Sequence, residues 1–274
     1  ITEDEVVLDI EPAKMFFDEI AIEAGVNLLY MTEVIAPRMN GKQVEGLYIL
    51  NKQGVGYVET DMVIDCTGDA DVVHRGGFET VKGDTDTGLM APVTLIWHAE
   101  NVQIQELADY LNNGGDKRFR SLISDLKAKG IWKFPSDIIV MFPMIQAGVI
   151  MLNGQAQADV DGTHPFEVTR ALVRGRKWAA DFLEDVLRPY VPGFSHANIR
   201  QVASKLGIRE TRKIVGEFTL NVDDLAVGAD FEDTVALSGY HFDLAKSRKT
   251  SSGEVVLSQP LHKNSVTGQS KPTM

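Results

Sequence analysis

The chain is poor in the features that usually announce chemistry. Its single cysteine, Cys66, excludes an internal disulfide and a cysteine-rich structural zinc site, and fits a reducing, cytoplasmic location. An excess of basic charge is also missing. With 27 Lys and Arg against 39 Asp and Glu, the formal net charge is −12, so a phosphate-backbone binder is excluded and no nucleic-acid partner is expected. Nothing approaches the ~18 uninterrupted apolar residues of a membrane helix, and no membrane partner is expected.

Catalytic and binding motifs are missing as well. There is no G-x-G-x-x-G and no G-x-x-x-x-G-K-[ST], so neither familiar phosphate-cradling loop is present, and Gly54-Val55-Gly56 fails at the third glycine. The absence of H-E-x-x-H and of G-x-S-x-G removes the common zinc-protease and serine-hydrolase readings. Asp69, Asp71, Asp84 and Asp86 do not continue with EF-hand spacing, and no metal site is expected. The histidines His74, His98, His164, His196, His241 and His262 share no ligand spacing; His241 is the one to test first, because of its neighbours in Gly239-Tyr240-His241.

What remains is an ordinary globular composition, 44% hydrophobic and 24% charged, in 274 residues, enough for one large or two ordinary domains. Pro12, then Phe16, Phe17, Ile20 and Ala24, with Gly25 as stop, give a first helix. Strand material comes next at Val26–Tyr30, Glu33–Ala36 and Val44–Leu50, with turns at Asn40-Gly41 and Gly54–Gly56. Met62-Val63-Ile64, between Asp61 and Asp65, reads as a strand buried on both faces, and Thr67-Gly68-Asp69 as the turn at its carboxyl end, where open α/β sheets place ligands. A short helix over Ala70–Gly77 succeeds it.

From Met90 the texture changes. Pro92–Trp97 is β-branched and aromatic, and suits a strand in a second sheet. Ile104, Leu107, Ala108 and Leu111, and then Phe119, Leu122, Ile123 and Leu126, match the helical template. Ile138–Phe142 and Val149–Leu152 read as a hairpin. A long helix opens at Pro165, with Val168, Leu172, Ala179, Phe182 and Val186 as its inner stripe; its Arg170, Arg174 and Lys177 read as a solvated face. Ile199–Ala203 and Lys213–Leu220 are later strands, and Lys246–Gly253 is polar enough to be mobile. The fold class is therefore α/β followed by α+β.

On residues alone, Thr67-Gly68-Asp69 reads equally as a tight structural turn or as a place where a diphosphate or ribitol meets the backbone amides of a helix start. Val63-Ile64-Asp65-Cys66-Thr67-Gly68-Asp69-Ala70-Asp71 resembles the V-I-D-A-T-G-D-G-D signature of a large family of FAD-dependent oxidoreductases, with Cys66 standing where that family usually has Ala. Leu206–Leu220, reading LGIRETRKIVGEFTL, is similar to a second segment of the same family, and Phe231-Glu232-Asp233 with Tyr240 and Asp243 is similar to the stretch that succeeds that segment in family members.

The resemblance implies a partial FAD/NAD(P)-binding, Rossmann-like domain with an inserted substrate domain on a mixed or antiparallel sheet. The implied division is a partial FAD-binding domain at 1–89, a substrate domain at 90–204 and a return segment at 205–274. It implies FAD as cofactor, with Thr67, Gly68 and Asp69 along it, Val34 meeting the adenine, and Met90 and Pro92 near the isoalloxazine ring. Arg209, Glu210 and Arg212 are the candidate catalytic charges. An arginine beside the flavin stabilises an anionic reduced ring or a substrate carboxylate, and the alternative is an internal ion-pair cluster tying segments together. In a strand, Arg209 and Thr211 would share one face and Glu210 and Arg212 the other.

The implied reaction is hydride transfer between a small organic substrate and FAD, with the electron acceptor left open. The rival is a non-catalytic binding module on a degenerate flavoprotein fold. The family's first-strand glycine fingerprint and its last flavin-contacting segment are not in this sequence, so a central fragment, inactive alone, is expected.

Overall fold

The computed structural model describes residues 8–236 and 246–258. Tyr240, His241, Asp243 and His262 lie outside them.

Helix α1 spans Ile10–Glu23 and ends as its sequence requires. Gly25, at φ +74, adopts the left-handed conformation that closes the helix, with Gly25 N donating to Ile22 O and Val26 N to Ala21 O, both at 2.9 Å. Its apolar stripe is nevertheless in solvent: Met15, Phe16, Phe17 and Ile20 are all exposed, and no residue of the helix is buried. The next unit is an antiparallel meander, β1 (Glu33–Asn40), β2 (Gln43–Asn51) and β3 (Gly54–Glu59). Asn40 pairs with Gln43 across a turn in which Gly41 sits at φ +62, the conformation an Asn-Gly turn supplies.

Two strand expectations need correction here. Residues 26–32 and 61–66 belong to no strand, and Met62 (76% exposed) and Ile64 (83%) lie on the surface. A doubly buried strand needs a neighbour on each edge, and among the described residues none lies beside either segment. Every ladder described is antiparallel, so the structure is a mixture of helices and antiparallel sheets.

After α2 (Asp71–Arg75) and β4 (Thr80–Lys82), the chain builds its core. β5 (Ile96–Glu100) is central in a four-stranded sheet of order β6-β7-β5-β8, with β6 at Val140–Pro143, β7 at Ile150–Asn153 and β8 at Asn198–Val202. Alternation sends Trp97, Ala99, Ile150 and Leu152 to one face, where α3 (Ile104–Asn112), α4 (Arg120–Ala128) and the end of α5 (Pro165–Phe182) cover them. Leu107, Phe119, Ile123, Leu126, Phe182 and Phe194 fill the space between, none more than 5% exposed. Apart from Ala70 and Val72, all buried apolar residues among those described fall between Leu89 and Leu206.

The inner line of α5 differs from the expected stripe in its first half. Ala171 and Gly175 are buried, whereas Val168 and Leu172 are only half-buried. Small residues let the helix lie close on Leu95, the residue before β5: a Cβ at Gly175 would stand 2.9 Å from Leu95 Cδ2. The helix runs on through a π-helical turn at Leu183–Leu187 into α6 (Arg188–Tyr190), with Val186 and Leu187 fully buried.

Toward the end, β9 (Arg212–Ile214) pairs with β4 and is shorter than the strand expected to Leu220, because β4 offers only Thr80 to Lys82 as an edge. Helix α7 covers Val222–Val227. In the Lys246–Gly253 region, β10 (Lys246–Lys249) pairs with β11 (Val255–Ser258) in a hairpin.

Candidate functional site

The site grows from one carboxylate. Asp65 Oδ1 accepts Thr67 N (3.1 Å) and Thr67 Oγ1 (2.7 Å), and Oδ2 accepts Val72 N (3.0 Å) and Val73 N (3.1 Å) at the start of α2. Thr67 Oγ1 in turn accepts Asp71 N at 3.1 Å. Partial burial works to raise the Asp65 pKa, but the Thr67 hydroxyl and the amides of Val73, Thr67 and Val72 outweigh it, so the carboxyl lies below its ordinary value. The amides that open α2 are thus occupied by the chain's own side chains, and the reading in which they meet a diphosphate does not match this geometry. What stays open is the outer edge of the turn. Thr67 and Gly68 are exposed, Gly68 sits at φ +79, and among the described residues no atom lies within 4 Å of where its Cβ would stand.

A segment some 140 residues later locks this turn in place. It is registered by Thr94 and Gly207, which exchange backbone bonds (2.7 and 3.2 Å) just beyond Pro92. Four residues on, Thr211, 1% exposed, donates its hydroxyl to Asp69 Oδ1 at 2.5 Å. Arg212 Nη1 donates to Asp69 O (3.1 Å) and to Asp71 Oδ1 (2.9 Å). Thr211 and Arg212 therefore both reach Asp69, and the expected strand alternation over 209–212 is not seen: the ladder begins only at Arg212.

The remaining candidates divide between this network and its surroundings. Val34 joins it through Arg75, whose Nη1 donates to Val34 O (2.7 Å) and Ile35 O (3.2 Å) and whose Nη2 stands 3.5 Å from Asp71. Glu210 pairs with Lys213, and Lys213 Nζ also donates to Gly83 O at 2.9 Å. Arg209 is exposed. Pro92 and Met90 are buried in the run leading to Thr94, and Met90 O accepts Ser247 Oγ at 2.9 Å. Beside β4, Lys82 Nζ pairs with Asp161 Oδ2 at 2.6 Å and donates to Thr163 Oγ1 at 3.3 Å.

Sequence reasoning missed Asp65 as the organiser, and missed Arg75, Thr211 and Lys213. Asp71 and Arg75, four apart on one helix, carried a readable signal. Thr211 did not, since a threonine bonding a carboxylate 142 positions away leaves no local pattern.

A family model described as FAD dependent oxidoreductase matches residues 1–264. No curated protein and no solved structure matches the chain.

Proposed function

Because the chain belongs to the FAD dependent oxidoreductase family, whose cofactor is FAD, we propose that Thr67, Gly68 and Asp69 form one wall of the FAD site of a hydride-transferring enzyme that acts on a small organic substrate. The observation that carries this reading is the contrast within a single turn. The Asp65 carboxylate, the Asp69 Oδ1 and carbonyl, and the amides that open α2 are bonded to the chain itself, while the Thr67-Gly68 edge is exposed and has no side chain at Gly68 to hold a planar or ribitol-like group away. An edge with no side chain at Gly68 fits close approach by a cofactor. The amides of α2, already filled, do not fit a diphosphate.

When bound, the flavin supplies the two-electron chemistry; the protein supplies position and electrostatics. Arg212 acts as a positioning residue, holding the Asp69 carbonyl and the Asp71 carboxylate. Glu210 plays a similar part through Lys213. Arg209, which is exposed, is the candidate charge to face a substrate carboxylate or negative charge on the reduced ring. By the family resemblance Val34, fixed through its carbonyl by Arg75, would border the adenine, and Met90 and Pro92 would border the ring.

The finer architecture belongs to the same proposal: a Rossmann-like FAD domain to which residues 1–89 and 205–274 contribute, and a substrate domain at 90–204. The concentration of buried apolar residues between Leu89 and Leu206 supports that division. A cytoplasmic location is part of the reading. No helix among the described residues is long and apolar enough to cross a membrane. Flavin absorbance and dye reduction by the intact natural gene product test the proposal; a product purified without flavin and unable to take it up would contradict it.

A further inference from the structure

The first half of α5 borders a cleft of about 260 Å³ that the flavin reading does not use, lined by Asp159, Val160, Glu167, Arg170 and Arg174. Behind Arg174 lies Gln157, 2% exposed, with both ends of its amide engaged: Nε2 donates to Ala171 O (2.9 Å), and Oε1 accepts Arg174 Nε (2.6 Å). A buried, fully bonded amide thus fixes one side of an arginine. The Trp178 ring fixes its plane, with the guanidinium carbon 5.5 Å from the ring centroid.

Arg170 stands one turn earlier on the same helix, within reach of the same ligand group. Among the described residues neither arginine is paired with a carboxylate, although two acids share the cleft. Glu167 is engaged through its Oε2, which accepts Asp161 N at 2.8 Å. Asp159, held at φ +57, lines the cleft without a bond partner among the described residues.

We propose that this cleft binds a small oxyanion, the carboxylate or phosphate group of a small molecule, between Arg170 and Arg174. Arg174 is the oriented element, since Gln157 occupies its Nε and leaves its two terminal nitrogens to present a fork. Arg170 adds the second positive charge, and Asp159 opposes the ligand and limits its affinity. This assignment does not depend on the flavin reading, so either can fail without the other.

Isothermal titration of the holoprotein with succinate, and separately with inorganic phosphate, against chloride at equal ionic strength, tests it. Saturable binding of either probe is expected, and the tighter of the two names the preferred group. Arg174→Lys, which keeps the charge and loses the fork, weakens binding about tenfold, as does Arg170→Ala. Asp159→Asn, tolerated at positive φ, tightens it roughly threefold by removing a like charge. Lys177→Ala, on the same helix but outside the cleft, leaves it unchanged. Absence of saturable binding by both probes overturns the proposal. So does an Arg174→Lys protein of native circular dichroism that binds as tightly as the parent.

Discussion

Thr211→Val isolates the bond that joins the two halves of the candidate site. Valine keeps the shape of threonine and removes only the hydroxyl, so the packing of Thr211 Cγ2 near Gly162 is preserved while Asp69 Oδ1 loses its donor at 2.5 Å. A hydrogen bond to a charged acceptor contributes about 1.5–3 kcal/mol net. Asp69 is only half-buried, so water replaces part of the loss, and about 1–2 kcal/mol is the expected cost. At roughly 2–4 °C per kcal/mol for a chain of this size, Tm should fall by about 2–8 °C. The assay is thermal unfolding monitored by circular dichroism, paired with flavin affinity measured by fluorescence quenching. Thr211→Ser, which restores the donor, should recover most of the flavin affinity. Unchanged stability and unchanged flavin affinity in Thr211→Val would refute the idea that this bond holds the Thr67–Asp69 turn in its working shape.

Two further outcomes are expected. Asp161 titrates at about 2 instead of 3.8: partial burial, which acts to raise it, is outweighed by the Lys82 ammonium and by the Thr163 hydroxyl and amide. A folded value below the unfolded one gives stability that is full above about pH 3.8 and lost as the pH falls toward 2, so Asp161→Asn should flatten that part of a urea-midpoint profile, and an unaltered acid slope would count against it. Gly175→Ala should destabilise by about 1–3 kcal/mol despite the better helix propensity of alanine, because the new methyl meets Leu95 Cδ2 at 2.9 Å and Gln157 Nε2 at 3.1 Å; a raised Tm would show that α5 has room to shift.

How much of the fold was legible in the sequence depends on whether the deciding contact is local. Helix α5 could be read from Pro165 and its apolar period, and the β1–β2 turn from Asn40-Gly41, because caps and turn dihedrals are set by near neighbours. The closeness of α5 to Leu95 could not, since Ala171 and Gly175 look unremarkable until Leu95 lies against them. Met62 to Ile64 misled for a related reason: an apolar run specifies a strand only where neighbouring edges accept its backbone, and none does among the described residues.

The candidate site shows the same division. Its two segments were legible through resemblance to a family, and the roles of their charges were not. Alternation placed Arg212 opposite Thr211, whereas the short β4 edge starts the ladder only at Arg212 and lets both residues turn to Asp69.

The central claim is that the open edge at Gly68 is a wall of the FAD site, and the flavin content of the intact natural gene product tests it most directly, beside that of Gly68→Val. Valine at φ +79 is strained and places a branched side chain in the space that Gly68 leaves empty. The account predicts flavin absorbance near one FAD per chain in the parent, and loss of bound flavin in the variant with the folded core retained by circular dichroism. A parent that neither carries nor takes up FAD, or a Gly68→Val protein that holds it as tightly as the parent, would contradict the account.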